Sequence, residues 1–328
     1  MSGWAGRRVL VTGAGGFIGS HLAERLVELG ADVRALAEYN SLGSWGWLDG
    51  SPVKDELQVV LGDVRDADSI RPAVDGVELV FHLAALIAIP YSYTAPHSYV
   101  QTNVTGTLNV LQAAHEAGAG LVVHTSTSEV YGTAQSVPID ESHPLQAQSP
   151  YAASKIGADM MAEAFRRSFG IAVATLRPFN TYGPRQSSRA VIPTIAAQLL
   201  DGGTVQLGNV TPTRDFTFVA DTVEAFVRIA DCPDAVGRVL NVGSGREISI
   251  ADLVERLETL VGKRVPVERD EERLRPPESE VERLCADASE ARRLLGWEPT
   301  VSLDEGLAAT VEWLAAHRGR YRAGEYVR

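Results

Sequence analysis

The sequence predicts an α/β protein built on a doubly wound parallel sheet with a smaller C-terminal α/β portion. Three observations predict it. Short runs rich in Val, Leu and Ile alternate with longer amphipathic stretches through the first half of the chain. A glycine-rich turn joins the first such run to the first helical stretch. Residues able to do chemistry fall just after predicted strands, where sheets of this kind bind their ligands.

Strands are predicted at 7–12, 32–37, 57–61, 79–82, 121–125 and 171–177. Helices are predicted at 18–29, 96–117 and 150–169, where apolar residues recur at helical spacing. After Pro178 the pattern loosens. Gly183-Pro184, Gly202-Gly203 and Gly208 separate shorter elements, with helices expected at 192–200, 219–230, 250–260 and 303–317. Pro276-Pro277 lies in a charged loop, and the basic tail 318–328 reads as a poorly ordered end.

With 328 residues the chain can bury a large core, and its net charge of −12 argues against nucleic acid or an anionic membrane as partner. Local arginines still permit an anionic small molecule. Cys232 and Cys285 have no metal-ligand spacing and read as free thiols of a reducing compartment, so the expected location is cytoplasmic. Arg7-Arg8 before an apolar run resembles the start of a signal peptide. The glycines that follow, with no small-residue cleavage site, fit a strand and turn better. The longest apolar run, 79–91, is too short to span a bilayer.

Thr12-Gly-Ala-Gly-Gly-Phe-Ile-Gly19 is the turn after the first strand. Gly13 allows the tight bend, Gly16 lets backbone approach a pyrophosphate, and Gly19 lets the helix pack on the sheet. The helix N-terminus supplies N–H groups to the phosphates. This is the start of a Rossmann-type dinucleotide site, expected within a domain spanning 1–182, to which 214–243 returns. The position that would bind the adenosine ribose is Ala37, and Glu38 follows it, which favours NAD over NADP. Asp63-Val64 would suit the adenine amino group, although the spacing alone fits a plain loop carboxylate equally well.

Tyr151 and Lys155 are four residues apart on a predicted helix and share a face. The ammonium, with a positive nicotinamide ring, is expected to lower the phenol pKa until it serves as a base. Lysine is scarce, with Lys54, Lys155 and Lys263 the only three, which makes this one more telling. Thr127 and Glu129 alternate on a predicted extended segment and so face one side, with Ser128 between them. Asn180, Arg185, Arg189, Arg214 and Arg275 are candidates for a diphosphate site, because guanidinium forks match phosphate oxygens. His82 and His124 read as satisfied core histidines, and Trp45 and Trp47 as packing over the cofactor or the loop.

Taken together, these motifs resemble the extended short-chain dehydrogenase/reductases. His82-Leu-Ala-Ala85, Thr102-Asn-Val-Thr-Gly-Thr107, Arg177-Pro-Phe-Asn180 and Arg214-Asp-Phe216 extend the likeness over essentially the whole chain. Thr127-Ser128-Glu129 resembles the nucleotide-sugar 4,6-dehydratases, with the Thr-Ser-Glu of the GDP-mannose branch. The stretches 84–93, Tyr39-Asn-Ser41 with Trp45-Gly-Trp-Leu48, and 180–186 are similar to the GDP-N-acetylglucosamine 4,6-dehydratases of the legionaminic acid pathway.

The resemblance implies an NAD-dependent enzyme without a metal, acting on a nucleotide-diphosphate sugar, with 183–213 and 244–328 forming the nucleotide-sugar-binding domain. Tyr151 would deprotonate the C4 hydroxyl, Thr127 would bind O4, Glu129 would be the C5 base, and Lys155 would hold the ribose. Ser128 stands where the dTDP-glucose branch has aspartate, so Glu129 would also protonate the leaving O6 hydroxyl. Phe17, Ile18, Ala84, Ala85 and Asn103 join the cofactor contacts, Ser92 the hexose contacts, and Asn180, Arg189, Arg214 and Arg275 the substrate contacts. By the same analogy the helices 96–117 and 150–169 form a homodimer. An epimerase, a UDP-glucuronate decarboxylase or a 5,6-dehydratase would share the first oxidation. A nicotinamide-binding regulator on this fold would be free to lose Tyr151, Lys155 or Glu129, and all three are present.

Overall fold

The computed structural model describes residues 3–321, so part of the basic tail, 322–328, lies outside the described residues. Among the described residues, twelve strands run in chain order: β1 Arg8–Thr12, β2 Asp32–Glu38, β3 Gln58–Gly62, β4 Leu79–His82, β5 Leu121–Thr125, β6 Val173–Pro178, β7 Asn180–Tyr182, β8 Val205–Leu207, β9 Thr213–Phe218, β10 Val239–Val242, β11 Glu247–Ser249 and β12 Val267–Arg269. The first-half helices are α1 Phe17–Glu28, α2 Ala67–Val74, α3 Ile89–Thr94, α4 Pro96–Tyr99, α5 Gly106–Ala117 and α6 Pro150–Phe169. The later ones are α7 Val191–Asp201, α8 Val219–Ala230, α9 Ile250–Val261, α10 Ser289–Leu295 and α11 Leu303–Ala316.

Seven strands make one parallel sheet in the order β10-β6-β5-β4-β1-β2-β3. Strand alternation explains why both faces must be covered. Val9 and Val11 of β1 point into one core with Leu22, Leu26, Phe81 and Phe226, against α1 and α8. Leu10 points the other way, into a core with Ile70, Val110, Leu111 and Phe165 from α2, α5 and α6. The chain starts at β1, runs out to β3 and returns to β4. The crevice between β1 and β4, above the strands' carboxyl ends, is the switch point of a doubly wound sheet. The expected fold class is observed.

Two small sheets, β11-β9-β7 and β12-β8, accompany α7, α9 and α11 around Ile195, Leu199, Leu253, Leu257 and Leu307. Here the boundaries differ from expectation. Pro178 lacks an N–H to continue the ladder, and the chain leaves the large sheet there. Asn180–Tyr182 then pairs with Phe216–Phe218 of β9. What returns to the large sheet is therefore α8 and β10; Arg214 itself stays in the small sheet. The helix expected over 96–117 is interrupted by a π-helical turn at Val100–Thr105. Among the described residues, no helix is long and apolar enough to cross a membrane, and no group of three His, Cys, Asp or Glu could hold a metal ion.

Candidate active site

The glycine turn is shaped by contacts that leave no space for side chains. Gly13 has φ +69°, and a Cβ there would lie 2.9 Å from Ala84 backbone. A Cβ on Gly19 would meet the Gly13 carbonyl oxygen at 2.2 Å, so this glycine packs against the turn itself more than against the sheet. Gly16 begins α1 without a side-chain cap or an acidic residue in the first turn, so no side chain answers the helix's first N–H groups. Those N–H groups and the bare glycine backbone fit a dinucleotide pyrophosphate. Phe17 and Ile18 lead that helix, both packed on the core. The Thr12 hydroxyl accepts from the N–H groups of Leu83 and Ala84, both at 3.1 Å, which draws the loop carrying Ala84 and Ala85 onto the turn.

On the adenosine side, Glu38 ends β2 with an exposed side chain opposite Gly62 of β3. Asp63 is engaged by Arg65, whose Nε lies 2.8 Å from Oδ2, and that ion pair holds its carboxyl below the usual range. Val64 is buried against Gly106. Asn103 lies in the π-helical turn and is buried. Its amide accepts from Leu86 N–H at 2.8 Å and donates to the Leu86 carbonyl and to Ser154, both at 2.9 Å. Asn103 thus clamps the loop after β4 and presents no free amide to a cofactor.

The candidate catalytic residues gather after β5 and at the start of α6. Ser149 caps α6 by accepting from Ala152 N–H at 3.1 Å, and Pro150 occupies the first turn. This fixes where Tyr151 and Lys155 stand, and both are buried. Lys155 Nζ donates to the Thr125 carbonyl at 2.6 Å, and burial brings its pKa down from 10.5 to about 8.

One expectation needs correction here. Thr127 is extended, but Ser128–Tyr131 is a 3-10 turn capped by the Thr127 hydroxyl, which accepts from Glu129 N–H at 3.3 Å. A turn, and not strand alternation, places Glu129. The turn is held by Val130 and Tyr131, fully buried with Ile139 and Phe179, and Ser128 is buried with them. In the chain by itself, burial raises the Tyr151 phenol pKa, and the Thr127 hydrogen bond opposes that rise. The negative charge of Glu129 adds to the rise and reaches Tyr93 and Arg214 as well. Glu129, 9 % exposed, therefore faces the same space as Tyr151 and Thr127.

The proposed diphosphate residues separate into two sets. Arg214 and Arg275 converge on Glu280, at 3.6 and 3.4 Å. Burial lowers the Arg214 pKa, with Glu129 acting against it. Asn180 Oδ1 is buried without a hydrogen-bond partner, as a group awaiting a polar ligand would be, while Arg275 NH1 makes no hydrogen bond beyond its ion pair with Glu280. Arg185 and Ser92 are spent elsewhere. Arg185 binds Glu24 at 2.9 Å and Ser20 at 3.1 Å on α1. Ser92 is fully buried and donates to the Ile89 carbonyl at 2.7 Å, so it shapes α3. Arg189 is exposed, on the approach to α7.

Sequence reasoning passed over other residues. Tyr93 hydroxyl lies 2.6 Å from Ser279 Oγ, and Ser279 donates to the Gln148 carbonyl, joining α3 to the segment of Arg275 and Glu280. Gly15 and Gly46 touch: a Cβ on Gly46 would lie 2.4 Å from the Gly15 carbonyl oxygen. Trp47 packs on Trp313 with ring centroids 5.2 Å apart. His82 and His124 are core histidines as expected, paired with Thr12 and Thr107, and with Asp159, respectively.

Over nearly its whole length the chain is matched by known proteins. The sequence model of GDP-mannose 4,6 dehydratase matches residues 10–310. This chain belongs to that family. A UDP-glucose 4-epimerase of Mycolicibacterium smegmatis is 38 % identical, over 93 % of this chain and 98 % of that protein. The structure of DesIV, a dTDP-glucose 4,6-dehydratase of Streptomyces venezuelae with NAD bound, superimposes with a TM-score of 0.88 at 35 % identity, covering 96 % of this chain and 99 % of the other. TunA, an NAD-dependent NDP-hexosamine 5,6-dehydratase, gives 0.84 at 32 % identity, covering 94 % and 98 %. The chain is an enzyme of the nucleotide-sugar dehydratase and epimerase superfamily.

Proposed function

We propose that this protein is an NAD-dependent nucleotide-sugar 4,6-dehydratase acting on an NDP-linked N-acetylglucosamine and forming a 4-keto-6-deoxy sugar. The observation that carries the reading is the position of Glu129, buried on a turn two residues after Thr127, with its charge acting on Tyr151. An epimerase has no use for a carboxylate there. The acetamido sugar is supported by the likeness of 39–48 and 84–93 to the GDP-N-acetylglucosamine enzymes.

NAD fits the glycine turn with Glu38 at the end of β2. When bound it supplies a hydride acceptor at C4, a donor at C6 and a positive charge that favours the phenolate. Tyr151 takes the C4 hydroxyl proton while Thr127 holds O4. The resulting ketone acidifies the C5–H, Glu129 removes that proton, and its carboxyl then protonates O6 as the hydroxyl departs as water. A proton from solvent, relayed by Glu129, would return to C5 when C6 is reduced. Lys155 holds the cofactor ribose, and Asn180, Arg214 and Arg275 receive the diphosphate, with Glu280 displaced or shared. Residues 1–178 with 219–242 carry the cofactor, and the small sheets carry the substrate. A homodimer through α5 and α6 fits Val100, Met160 and Phe169, which leave apolar surface exposed there. The free thiols Cys232 and Cys285 fit the cytoplasm.

Incubation with GDP- and UDP-linked N-acetylglucosamine, glucose and glucuronate, read by mass spectrometry, tests the reading. Loss of water is expected; loss of carbon dioxide, or an isomer of unchanged mass, refutes it. Glu129→Gln should oxidise C4 and release no water, and water release at the parental rate would remove Glu129 from its role. The likeness to TunA keeps 5,6-dehydration as the second reading, and NMR of the product separates a 4-ketone from an alkene.

A further inference from the structure

Asp159 lies four residues after Lys155 on α6, on the same helical face and fully inside the protein. Each oxygen of its carboxylate is answered. Oδ1 lies 2.9 Å from His124 Nε2; Oδ2 accepts from Ser126 Oγ at 2.7 Å and from Arg177 at 2.8 Å. Arg177 also donates to Ser126 Oγ at 3.1 Å and to the Tyr131 hydroxyl at 2.7 Å. Burial disfavours the charged carboxylate, but His124, Arg177 and Lys155 outweigh it and keep Asp159 ionised.

His124 and Ser126 flank Thr125, whose carbonyl receives the Lys155 ammonium. One carboxylate therefore grips both neighbours of the residue on which Lys155 rests. The titratable groups facing Lys155 come from four elements: Tyr151 and Asp159 on α6, His124 on β5, His82 on β4, and Arg177 on β6 behind Asp159. Burial lowers both histidines, which leaves them neutral at pH 7. Asp159 is the one anion among these groups.

We propose that Asp159 is a positioning residue of the reaction, fixing the end of β5 that receives Lys155 and serving as the counter-charge that keeps this ammonium protonated. Arg177 in turn keeps Asp159 ionised, which assigns the Arg177-Pro-Phe-Asn180 stretch a part in the chemistry. The inference rests on the reading of Tyr151 and Lys155 as the hydride-transfer pair, but its test does not depend on turnover.

Isotope-labelled lysine followed by NMR reads it directly, because Lys54, Lys155 and Lys263 are the chain's only lysines. In the parent, the Lys155 signal should titrate near pH 8. In Asp159→Asn it should titrate lower by about one pH unit or more, while the Lys54 and Lys263 signals stay in place. Asp159→Asn leaves Arg177 buried and unpaired, so the paired variant Asp159→Asn with Arg177→Met is measured as well and should shift in the same direction. A purely structural role for Asp159 would lower thermal stability without moving the titration. A Lys155 signal that stays in place in the folded variants overturns the proposal. Turnover by Lys155→Met at the parental rate is a separate result, and it would sink the functional reading instead.

Discussion

Lys155 shows how far a single residue can be held against its own preference. Its folded pKa of about 8 lies below the unfolded value near 10.5, so the native state binds this proton more weakly. Below pH 8 the fold carries the full burden of a buried charge. Between about pH 8 and 10.5 the unfolded chain keeps the proton longer, and stability rises with pH across that window. A shift of this size corresponds to about 3 kcal/mol. Lys155→Met removes the burden but strips the Thr125 carbonyl of its donor, a loss of about 1 kcal/mol. The variant should therefore be more stable than the parent by about 2 kcal/mol at pH 7 in urea unfolding, while losing hydride transfer. The gain should shrink above pH 8 and disappear by about 10.5. Equal stability of the two proteins at pH 7 would show that burial is not what depresses this lysine.

At the scale of elements, the glycine turn and the 45–47 loop act as one unit. Trp47 N–H donates to the Gly15 carbonyl at 3.0 Å, and Gly46 sits at φ +69° directly above Gly15. Gly46→Ala combines a left-handed backbone with a Cβ inside contact distance of that carbonyl, and should cost about 2 kcal/mol and weaken NAD binding several-fold. Isothermal titration with NAD checks this, and Gly43→Ala, also at positive φ but in open space, is the control that separates strain from contact. This pairing was not legible in the sequence, because nothing local says that residue 46 will touch residue 15. What was legible were the features that rest on neighbours in the chain: the strand-turn-helix of the first glycines, and the Ser149-Pro150 cap that starts α6 and sets Tyr151 and Lys155. The turn at Ser128–Tyr131 escaped because it is imposed by Val130 and Tyr131 packing with Phe179 and Ile139, not by local pattern. The π-helical turn at Val100–Thr105 escaped for a related reason: its spacing does not disturb an apolar stripe enough to show, yet it aims Asn103 at Leu86. Arg214 and Arg275 were read as phosphate ligands from their type and from the family resemblance, and only the fold could reveal Glu280 between them.

Across the whole molecule, the cofactor side and the small-sheet side are joined around the site by contacts that run from α1 and the 45–47 loop to the second half of the chain. Arg185 reaches Glu24 and Ser20 of α1, and His21 lies 3.1 Å from the Pro184 carbonyl oxygen. Arg185 does so from φ 71°, an uncommon conformation for a residue with a side chain, and the partly buried ion pair to Glu24 helps hold it there. On the other flank Trp47 meets Trp313 of α11 edge to face, and the Arg320 guanidinium stands 4.7 Å over the Trp47 ring. Because Trp47 also bonds to Gly15, this aromatic contact ties α11 to the turn expected to hold the pyrophosphate. A double-mutant cycle over Trp47→Leu and Trp313→Leu should therefore return a coupling energy of about 1 kcal/mol in equilibrium unfolding. Trp313 is joined to the glycine turn through Trp47, so Trp313→Leu should weaken NAD binding by way of Trp47. The two single variants should then lower NAD affinity by similar factors, and the double variant by no more than either alone. Additive losses of affinity would mean that α11 and the 45–47 loop act on the cofactor independently, and the two halves of the chain would have to be treated as separately anchored.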